Sequence, residues 1–308
     1  MGARGLHGRR FDESGSRQAA PAARRTHGDR CDLRRRNSMA SQVVKTIGMI
    51  GLGKMGNPMA RLLAAKGFSV IGYDVSEIAG KAAAKHGIAI AASPSDLARN
   101  SDLVIVVTGF EHEAEAALFG DNGVVDGARP GTIIGIASTI SPSGMRDIAT
   151  RLAARSLVPL DIPLCRGEPA AEAGKLLITG GGDQAAFERC RPAFAAFADA
   201  IFHLGPVGSG QVGKMVNNLI LWACICANDE GLRLGQKLGV DRKALGDMLL
   251  QSSGQNWALA SGAGDRPMPW AEKDMMIVLE EADAARLSLP LCGVIKEVIK
   301  GIKVARGE

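Results

Sequence analysis

The chain has 308 residues, 46% of them hydrophobic, which is enough for one large domain or two smaller domains with buried cores. No apolar run approaches the roughly 18 residues that a membrane-spanning helix requires, so the sequence predicts no membrane partner. Its six cysteines have no C-x-x-C spacing, which speaks against a metal site and predicts reduced thiols in a cytoplasmic protein.

The net charge of +5 is concentrated at the N-terminus. Residues 1–38 contain ten arginines and four acidic residues and so carry +6, which leaves −1 for the rest of the chain. We therefore expect no nucleic-acid binding by the folded part. Residues 1–42 have no periodic apolar pattern and are predicted to be disordered. Two origins of this tail stay open: sequence upstream of a natural start at Met39, or a transit peptide that directs the protein to the mitochondrial matrix.

Residues 47–74 are typical of a strand, a glycine-rich turn, a helix, a second strand and an acid. The turn has the spacing Gly51-x-Gly53-x-x-Gly56. The first glycine permits the tight turn, the second lets a pyrophosphate approach the backbone, and the third lets the helix pack closely on the strand. Asp74 ends the second strand, where a carboxylate can accept hydrogen bonds from ribose hydroxyls. This order predicts a dinucleotide site, whereas a turn without a ligand would not need the acid.

Short apolar runs alternate with helical patterns as far as residue 204. The predicted strands cover residues 47–50, 68–73, 88–91, 102–107, 132–137, 157–160, 176–179 and 201–204. The helices after the first one cover residues 77–86, 93–97, 111–119, 141–154 and 184–198. Such alternation predicts repeated βαβ units, and hence an α/β fold with a doubly wound, Rossmann-type parallel sheet.

The pattern changes to helices alone after residue 209. The predicted helices cover residues 211–238, 241–251, 268–286 and 290–304. The first would be about 42 Å long, and its centre, residues 219–227, is apolar on nearly all sides, which predicts burial between domains or subunits. We therefore expect a disordered tail (1–42), a dinucleotide-binding domain (43–205) and a helical domain for substrate binding and oligomerisation (206–308). A homodimer or homotetramer is expected.

The start of the long helix carries the residues best suited to acid–base chemistry. Lys214, Asn217 and Asn218 are spaced i, i+3 and i+4, so they share one face of the helix. A lysine can exchange a proton with an alcohol, and two amides can orient it and a substrate oxygen. The alternative is a solvated lysine with two ordinary polar neighbours, and the spacing alone leaves both interpretations open.

Several motifs together resemble the β-hydroxyacid dehydrogenase family, which includes 3-hydroxyisobutyrate dehydrogenase and tartronate semialdehyde reductase. They are the fingerprint at residues 51–56 followed by Asn-Pro-Met-Ala, Ser-Thr-Ile-Ser-Pro at 138–142, Gly-x-Gly-x-x-x-Lys-x-x-Asn-Asn at 208–218, and Lys273-Asp274. A partial fifth match spans residues 161–176. The resemblance covers about residues 45–300.

The resemblance implies a role for each matching residue. Lys214 would be the general acid/base, with Asn217 and Asn218 as further catalytic residues that position it and the substrate. The residues implied to bind substrate are Ser138, Cys165, Arg166 and Gly167. The residues implied to bind the cofactor are Gly51, Leu52, Gly53, Met55, Gly56, Asp74, Thr108, Thr139 and Lys273, the last reaching over from the helical domain.

Two details bear on specificity. The carboxylate of Asp74 would repel a 2′-phosphate, and no arginine follows it, so the expected cofactor is NAD rather than NADP. The family usually has Ser-Gly where this chain has Cys165-Arg166. One hypothesis is that Arg166 binds a second anionic group of the substrate. The alternative is that Arg166 points to solvent and Cys165 merely fills space.

These features predict an NAD-dependent oxidoreductase that transfers a hydride between nicotinamide and a small 3-hydroxy acid, or reduces the matching aldehyde acid. A first alternative is an NADPH-dependent reductase of glyoxylate or succinic semialdehyde, which Asp74 disfavours. A second, of another class, is a catalytically inactive cofactor-binding scaffold whose basic tail binds a partner. Lys214 disfavours that alternative.

Overall fold

The computed structural model of the chain describes residues 43–308, so the predicted disordered tail and the hypothesis about Met39 lie outside the described residues. The strands are β1 (Thr46–Ile50), β2 (Ser69–Tyr73), β3 (Ala89–Ile90), β4 (Leu103–Val106), β5 (Ile133–Ile136), β6 (Val158–Asp161), β7 (Leu164–Cys165), β8 (Leu176–Gly182) and β9 (Ala198–His203).

The helices alternate with these strands and then continue alone. They are α1 (Gly56–Ala65), α2 (Glu77–Ala84), α3 (Pro94–Arg99), α4 (Glu111–Phe119), α5 (Val124–Gly127), α6 (Pro142–Ala153), α7 (Gly167–Glu172), α8 (Gln184–Phe194), α9 (Ser209–Lys237), α10 (Arg242–Leu249), α11 (Trp257–Ala260), α12 (Ala271–Ala284) and α13 (Pro290–Arg306), with a 3₁₀ turn at Ala263–Asp265. The short β7, α5, α7 and α11 were not predicted, because so few residues carry no periodic signal.

The sheet is doubly wound. Strands β3, β2, β1, β4, β5 and β6 are neighbours in that order, and all these pairs are parallel. This confirms the predicted fold class and places the ends of these strands at one edge, where ligands of such sheets bind. The sheet is not parallel throughout, because β8 pairs antiparallel with β6 and β7. The connection from β6 to β8 holds only β7 and the six-residue α7, too little for a crossover helix.

Buried side chains of the central strands alternate between the two faces of the sheet. On β4, Leu103 and Ile105 enter the hydrophobic core on one face, whereas Val104 and Val106 enter the core on the other. All four are fully buried. Because both faces are covered by helices, such strands are apolar throughout rather than at every second residue.

The helices after β9 form a third hydrophobic core. It gathers Trp222 and Ile225 of α9, Met275 of α12 and Ile295 of α13. These contacts bury one face of the central segment of α9, whereas Ile220 on the other face is 59% exposed in the single chain, and burial of that face between subunits stays a prediction. No helix among residues 43–308 is long and apolar enough to cross a membrane.

Helix α12 also contacts the sheet-containing part. Glu281 Oε1 accepts hydrogen bonds from Ser143 N (2.9 Å) and Ser143 Oγ (2.5 Å) at the start of α6. A carboxylate at this place satisfies a free N–H of the first helical turn. The contact fixes α12 against the carboxyl edge of the sheet, which is where the candidate site lies.

Candidate active site

The glycine-rich turn joins β1 to α1. Gly51 has a left-handed φ of +91°, and a Cβ there would overlap the carbonyl oxygen of Val107. A Cβ on Gly56 would overlap the Gly51 carbonyl oxygen. A Cβ on Gly53, in contrast, would meet no atom within 4 Å. Two of the three glycines are therefore required by the fold, while the middle one faces open space.

The turn that leads into α1 also leaves backbone donors unpaired. The backbone N–H groups of Gly53 and Lys54 have no hydrogen-bond partner within residues 43–308. Asp74 lies beside the turn, and its carboxylate accepts hydrogen bonds from Leu52 N (2.6 Å) and Ser76 N (2.7 Å). Unpaired donors at a helix N-terminus attract phosphate, and each carboxylate oxygen keeps a lone pair for a ribose hydroxyl. These residues therefore fit a dinucleotide.

Ser138 and Thr108 tie together the ends of two neighbouring strands. Ser138 follows β5, is only 2% exposed, and its Oγ accepts a hydrogen bond from Thr108 N at 2.7 Å. The two hydroxyl oxygens are 3.0 Å apart. The structure thus brings Ser138 to the expected edge but uses its hydroxyl to hold the loop after β4. Thr139, by contrast, is half-buried.

Lys273 extends from α12 to the same edge. Its Nζ donates hydrogen bonds to Gly109 O at 2.8 Å and Thr139 O at 3.1 Å, the loops that follow β4 and β5. The rings of Phe110 and Trp270 lie 5.6 and 5.3 Å from this ammonium. Desolvation in this setting lowers the pKa of Lys273. The lysine therefore links the helical region to the segments that follow β4 and β5.

A buried carboxylate holds the start of α9 on the sheet. Asp161, the last residue of β6, is fully buried and accepts hydrogen bonds from Gly208 N and Gln211 N, both at 2.9 Å. Burial raises the pKa of Asp161, and the backbone N–H groups oppose that shift. Thr179 Oγ1 donates to Gly210 O at 2.9 Å. The first turn of α9 is therefore anchored to two strands.

Lys214 lies on the next turn of α9 and is half-buried. Burial raises the pKa of the Cys165 thiol on β7 and of the Asp274 carboxyl on α12, and the positive charge of Lys214 opposes both shifts. Asp274 also accepts a hydrogen bond from Trp222 Nε1 at 3.0 Å. Lys214 is thus brought near a buried thiol and a buried carboxyl group at the junction of the sheet and the helices.

The two asparagines follow on the same helix. Asn217 is exposed, whereas Asn218 is 4% exposed and lies beside the Asp274 carboxyl group, where its amide opposes the rise in the pKa of that group. Asn217 Nδ2 donates to Asn218 Oδ1 at 3.1 Å. The structure therefore groups Lys214 and Asn218 around Asp274, with Asn217 at the outer side of the group.

Arg166 is directed elsewhere. Its Nη1 forms an ion pair with Asp199 of β9 and donates to Lys175 O at 2.9 Å. Its backbone is left-handed, with φ +82°, as is that of Gly167, with φ +73°. The guanidinium is therefore already paired within the protein. Binding of a substrate anion by Arg166 stays a prediction, and these contacts do not favour it.

Sequence reasoning did not assign a role to three buried polar residues of the site. Asp274 belongs to the Lys273-Asp274 motif and Asp161 begins the partial match at residues 161–176, so the sequence did contain a signal for both acids. Gln211 is 1% exposed and contacts the segment after β5. Such a contact joins residues 73 positions apart, and no local pattern reveals it.

Two family models match consecutive parts of the chain. Residues 46–205 match the NAD-binding domain of 6-phosphogluconate dehydrogenase. Residues 208–308 match a model described as NAD-binding of NADP-dependent 3-hydroxyisobutyrate dehydrogenase. The first match alone spans more than half of the chain.

Relatives and solved structures agree with these models. The NAD-dependent L-serine dehydrogenase of Pseudomonas aeruginosa is 35% identical over 79% of this chain and 78% of its own length. The 2-(hydroxymethyl)glutarate dehydrogenase of Eubacterium barkeri is 31% identical over 83% and 88%. The structure of Mycobacterium tuberculosis 3-hydroxyisobutyrate dehydrogenase with L-serine superposes with a TM-score of 0.76 at 28% identity, covering 85% of this chain and 94% of that one. With its glycine-rich turn, doubly wound sheet and helical C-terminal region, the chain belongs to the β-hydroxyacid dehydrogenase family and is a hydroxyacid dehydrogenase with an NAD(P)-binding domain.

Proposed function

We propose that this enzyme transfers a hydride between NAD and a small 3-hydroxy acid, with Lys214 as the general acid/base. The observation that carries the proposal is the position of Lys214. It lies on an anchored helix at the carboxyl edge of the sheet, near Asp274 of the helical region. A proton carrier at this junction would suit a ligand at the carboxyl edge of the sheet, where ligands of doubly wound sheets bind.

The names of the relatives indicate a common substrate fragment. L-Serine, 3-hydroxyisobutyrate and 2-(hydroxymethyl)glutarate each carry a hydroxymethyl group on the carbon next to a carboxylate. They differ only in the third substituent of that carbon. We therefore propose a substrate of the form HOCH₂–CHR–COO⁻, in which the part of the site around R sets the specificity.

In the oxidative direction, Lys214 in its neutral form accepts the hydroxyl proton of the substrate. A bound nicotinamide would supply the acceptor for the hydride, with its electron pair, from the carbon that bears this hydroxyl. The products are the aldehyde acid, the reduced nicotinamide and a lysine ammonium, so that charge and protons balance. The buried Asp274 carboxyl group, near Lys214, offers negative charge to that ammonium. In the reductive direction Lys214 returns the proton to the forming alkoxide.

We propose NAD as the cofactor. Both oxygens of Asp74 are fixed by backbone donors, so the carboxylate cannot turn away from a 2′-phosphate without losing two hydrogen bonds. Two like charges in contact repel each other. The next residues, Val75 and Ser76, offer no positive charge to the phosphate. These contacts support discrimination against NADP.

We also propose that residues 43–205 form the cofactor domain and residues 206–308 a helical domain that contributes to substrate binding and to assembly. The exposed apolar residues Val212, Val216 and Ile220 are spaced by four along α9, so they form one stripe. An exposed apolar stripe of this kind supports a homodimer or homotetramer. Sedimentation velocity of the purified protein tests this part, and a monomer at all concentrations would contradict it.

The main test is a substrate panel. Wild type, Lys214→Met and Lys237→Met are assayed with NAD and NADP on L-serine, 3-hydroxyisobutyrate and 2-(hydroxymethyl)glutarate. Lys237 is an exposed lysine in the last turn of the same helix, so it is the matched control. We expect NAD-linked turnover that falls about 10³-fold in Lys214→Met and is unchanged in Lys237→Met.

Three results would change the proposal. Equal turnover of wild type and Lys214→Met would remove Lys214 from the chemistry. A preference for NADP would overturn the argument from Asp74. Cofactor binding with no turnover of these acids, or of glyoxylate and succinic semialdehyde, would favour a scaffold without catalysis.

A further inference from the structure

The side chain of Gln211 connects the helix that carries Lys214 to the segment after β5. Gln211 is only 1% exposed and lies one turn before Lys214, on the same side of α9. Its Nε2 donates to Ser138 O at 2.8 Å, and its Oε1 accepts from Ile140 N at 3.3 Å. One carboxamide thus pairs with two backbone groups of the segment, as a neighbouring strand would.

These two bonds also orient the peptide between Ser138 and Thr139. In a trans peptide the C=O and the N–H point in opposite directions. Because Ser138 O is directed at Gln211, Thr139 N–H points away from it. This N–H has no partner in the described part of the chain, and Thr139 is half-buried between two buried neighbours. A free backbone donor therefore remains at the edge of the sheet where substrate and cofactor would meet.

The backbone of Gln211 is fixed as well. Gln211 N donates to the buried Asp161 carboxylate, so the side chain projects from a point held against the end of β6. The segment at 138–140 is further held by Thr108 N on Ser138 Oγ and by Lys273 Nζ on Thr139 O. Of these contacts, Gln211 alone comes from the helix of Lys214. The length of the Gln211 side chain therefore sets how far α9 lies from the segment at residues 138–140.

We propose that Gln211 is a positioning residue of the reaction. It fixes the distance between Lys214 and the strand end over which hydride transfer takes place, and it orients Thr139 N–H as a donor for the bound acid. This inference rests on the proposed function, because it needs Lys214 as the proton carrier. Gln211 itself exchanges no proton and touches no reacting atom.

The test uses two substitutions and a control on the same helix. Gln211→Met keeps the length of the side chain and removes both hydrogen bonds. Gln211→Glu keeps the shape and the acceptor for Ile140 N but replaces the donor to Ser138 O, so it serves if Gln211→Met folds poorly. Gln236→Met changes an exposed glutamine near the other end of α9. Lys214→Met is measured in parallel.

Four quantities are measured on each variant with L-serine or 3-hydroxyisobutyrate, whichever wild type oxidises faster. They are kcat and KM, the Kd for NADH by fluorescence titration, and the isotope effect with substrate deuterated at the hydroxymethyl carbon. We expect kcat to fall about 30-fold or more in both Gln211 variants, because misplacement by about 1 Å near the chemistry costs up to 10²-fold. The Kd for NADH should stay within about threefold, and the isotope effect should rise as hydride transfer becomes rate-limiting. Gln236→Met should match wild type.

The inference is overturned if kcat of the Gln211 variants stays within about threefold of wild type, or if the whole loss appears in the Kd for NADH with an unchanged isotope effect. If Gln211→Met is inactive but Lys214→Met is as active as wild type, the proposed function fails and this inference fails with it. If Lys214→Met is inactive and the Gln211 variants are normal, only this inference fails.

Discussion

Two of the helix N-termini at the carboxyl edge of the sheet, those of α1 and α9, are completed in opposite ways. At α1 the middle glycine, Gly53, faces open space and its N–H has no partner within residues 43–308. At α9 the corresponding donors, Gly208 N and Gln211 N, are satisfied by the buried carboxylate of Asp161. The comparison is apt because any helix N-terminus has N–H groups without an intrahelical partner and a positive dipole end, and both attract an anion.

The difference indicates what each end is for. An end left open receives its anion from outside, which suits the pyrophosphate of a cofactor that comes and goes. An end closed by a carboxylate of the protein is fixed permanently and provides a rigid base for the side chains that follow. Lys214 follows the closed end, and we propose that rigidity there serves proton transfer.

Matched glycine substitutions are the strongest way to break this comparison. In Gly210→Ala the new Cβ would lie 2.5 Å from Thr179 O and 2.7 Å from Asp161 Oδ2, so the helix must shift. We expect a loss of about 3 kcal/mol in the free energy of unfolding. Gly53→Ala should leave stability nearly unchanged and weaken NADH binding about tenfold or more, which corresponds to about 1.4 kcal/mol.

Urea unfolding of the cofactor-free variants and fluorescence titration with NADH give the two numbers. If Gly53→Ala destabilises the protein as much as Gly210→Ala does, then the end of α1 is as tightly packed as that of α9, and the comparison is lost.

Asp161→Asn sharpens the account of the closed end. The amide has one acceptor oxygen for two N–H donors, so either Gly208 N or Gln211 N meets the NH₂ group. Because burial raises the pKa of Asp161, a neutral side chain recovers some desolvation free energy. We expect the unpaired donor to dominate, with a net loss of about 2 kcal/mol. Asp199→Asn, at an exposed carboxylate, is the control for urea unfolding. If Asp161→Asn unfolds at the same urea concentration as wild type, the N-terminus of α9 needs no negative charge.

Lys273→Met tests the link between α12 and the strand ends through pH. Desolvation lowers the pKa of Lys273, so the folded protein releases this proton more readily than the unfolded chain does. The unfolded state then binds more protons, and this group makes stability rise as pH rises through the lowered pKa toward the ordinary value of about 10.4. Any stability advantage of Lys273→Met at neutral pH should therefore shrink in alkaline buffer. A difference that is constant or grows with pH would contradict this assignment.

Arg166→Gly should have the smallest effect. Glycine relieves a left-handed backbone that costs an ordinary residue about 1 kcal/mol. The lost ion pair with Asp199 is partly exposed, with 33% and 51% of the two side chains accessible, so it contributes little. We expect a change in unfolding free energy within about 1 kcal/mol, and equal effects on turnover of monoanionic and dianionic acids. A selective loss for dianionic acids would restore Arg166 as an anion-binding residue.

Much of the fold could be predicted because its signals are local. Apolar runs bounded by glycine and serine placed the strands β1 to β6, and the break at residue 209 separated the sheet from the helices. The antiparallel β8 could not be predicted, since strand direction depends on the length of connections whose short elements leave no periodic pattern.

Site residues that belong to a local sequence motif could be predicted, whereas residues defined by a contact between distant parts of the chain could not. The grouping of Lys214 with Asn218 follows from helical spacing. The anchoring of α9 by Asp161 joins residues about 50 positions apart, and the left-handed Arg166 is a property of the backbone that side-chain identity does not reveal. The family's glycine at that position was the available signal, because only glycine adopts this conformation without strain.

The most direct test of the central claim separates binding from chemistry at the two helix ends. Wild type and Lys214→Met, each saturated with NAD, are mixed rapidly with the 3-hydroxy acid that wild type oxidises best, and NADH formation is followed through a single turnover. The account predicts that the Kd for NADH agrees within about twofold, while hydride transfer in Lys214→Met is slower by about 10³-fold. Hydride transfer at the wild-type rate in Lys214→Met would show that Lys214, on the helix with the closed N-terminus, is not the general acid/base.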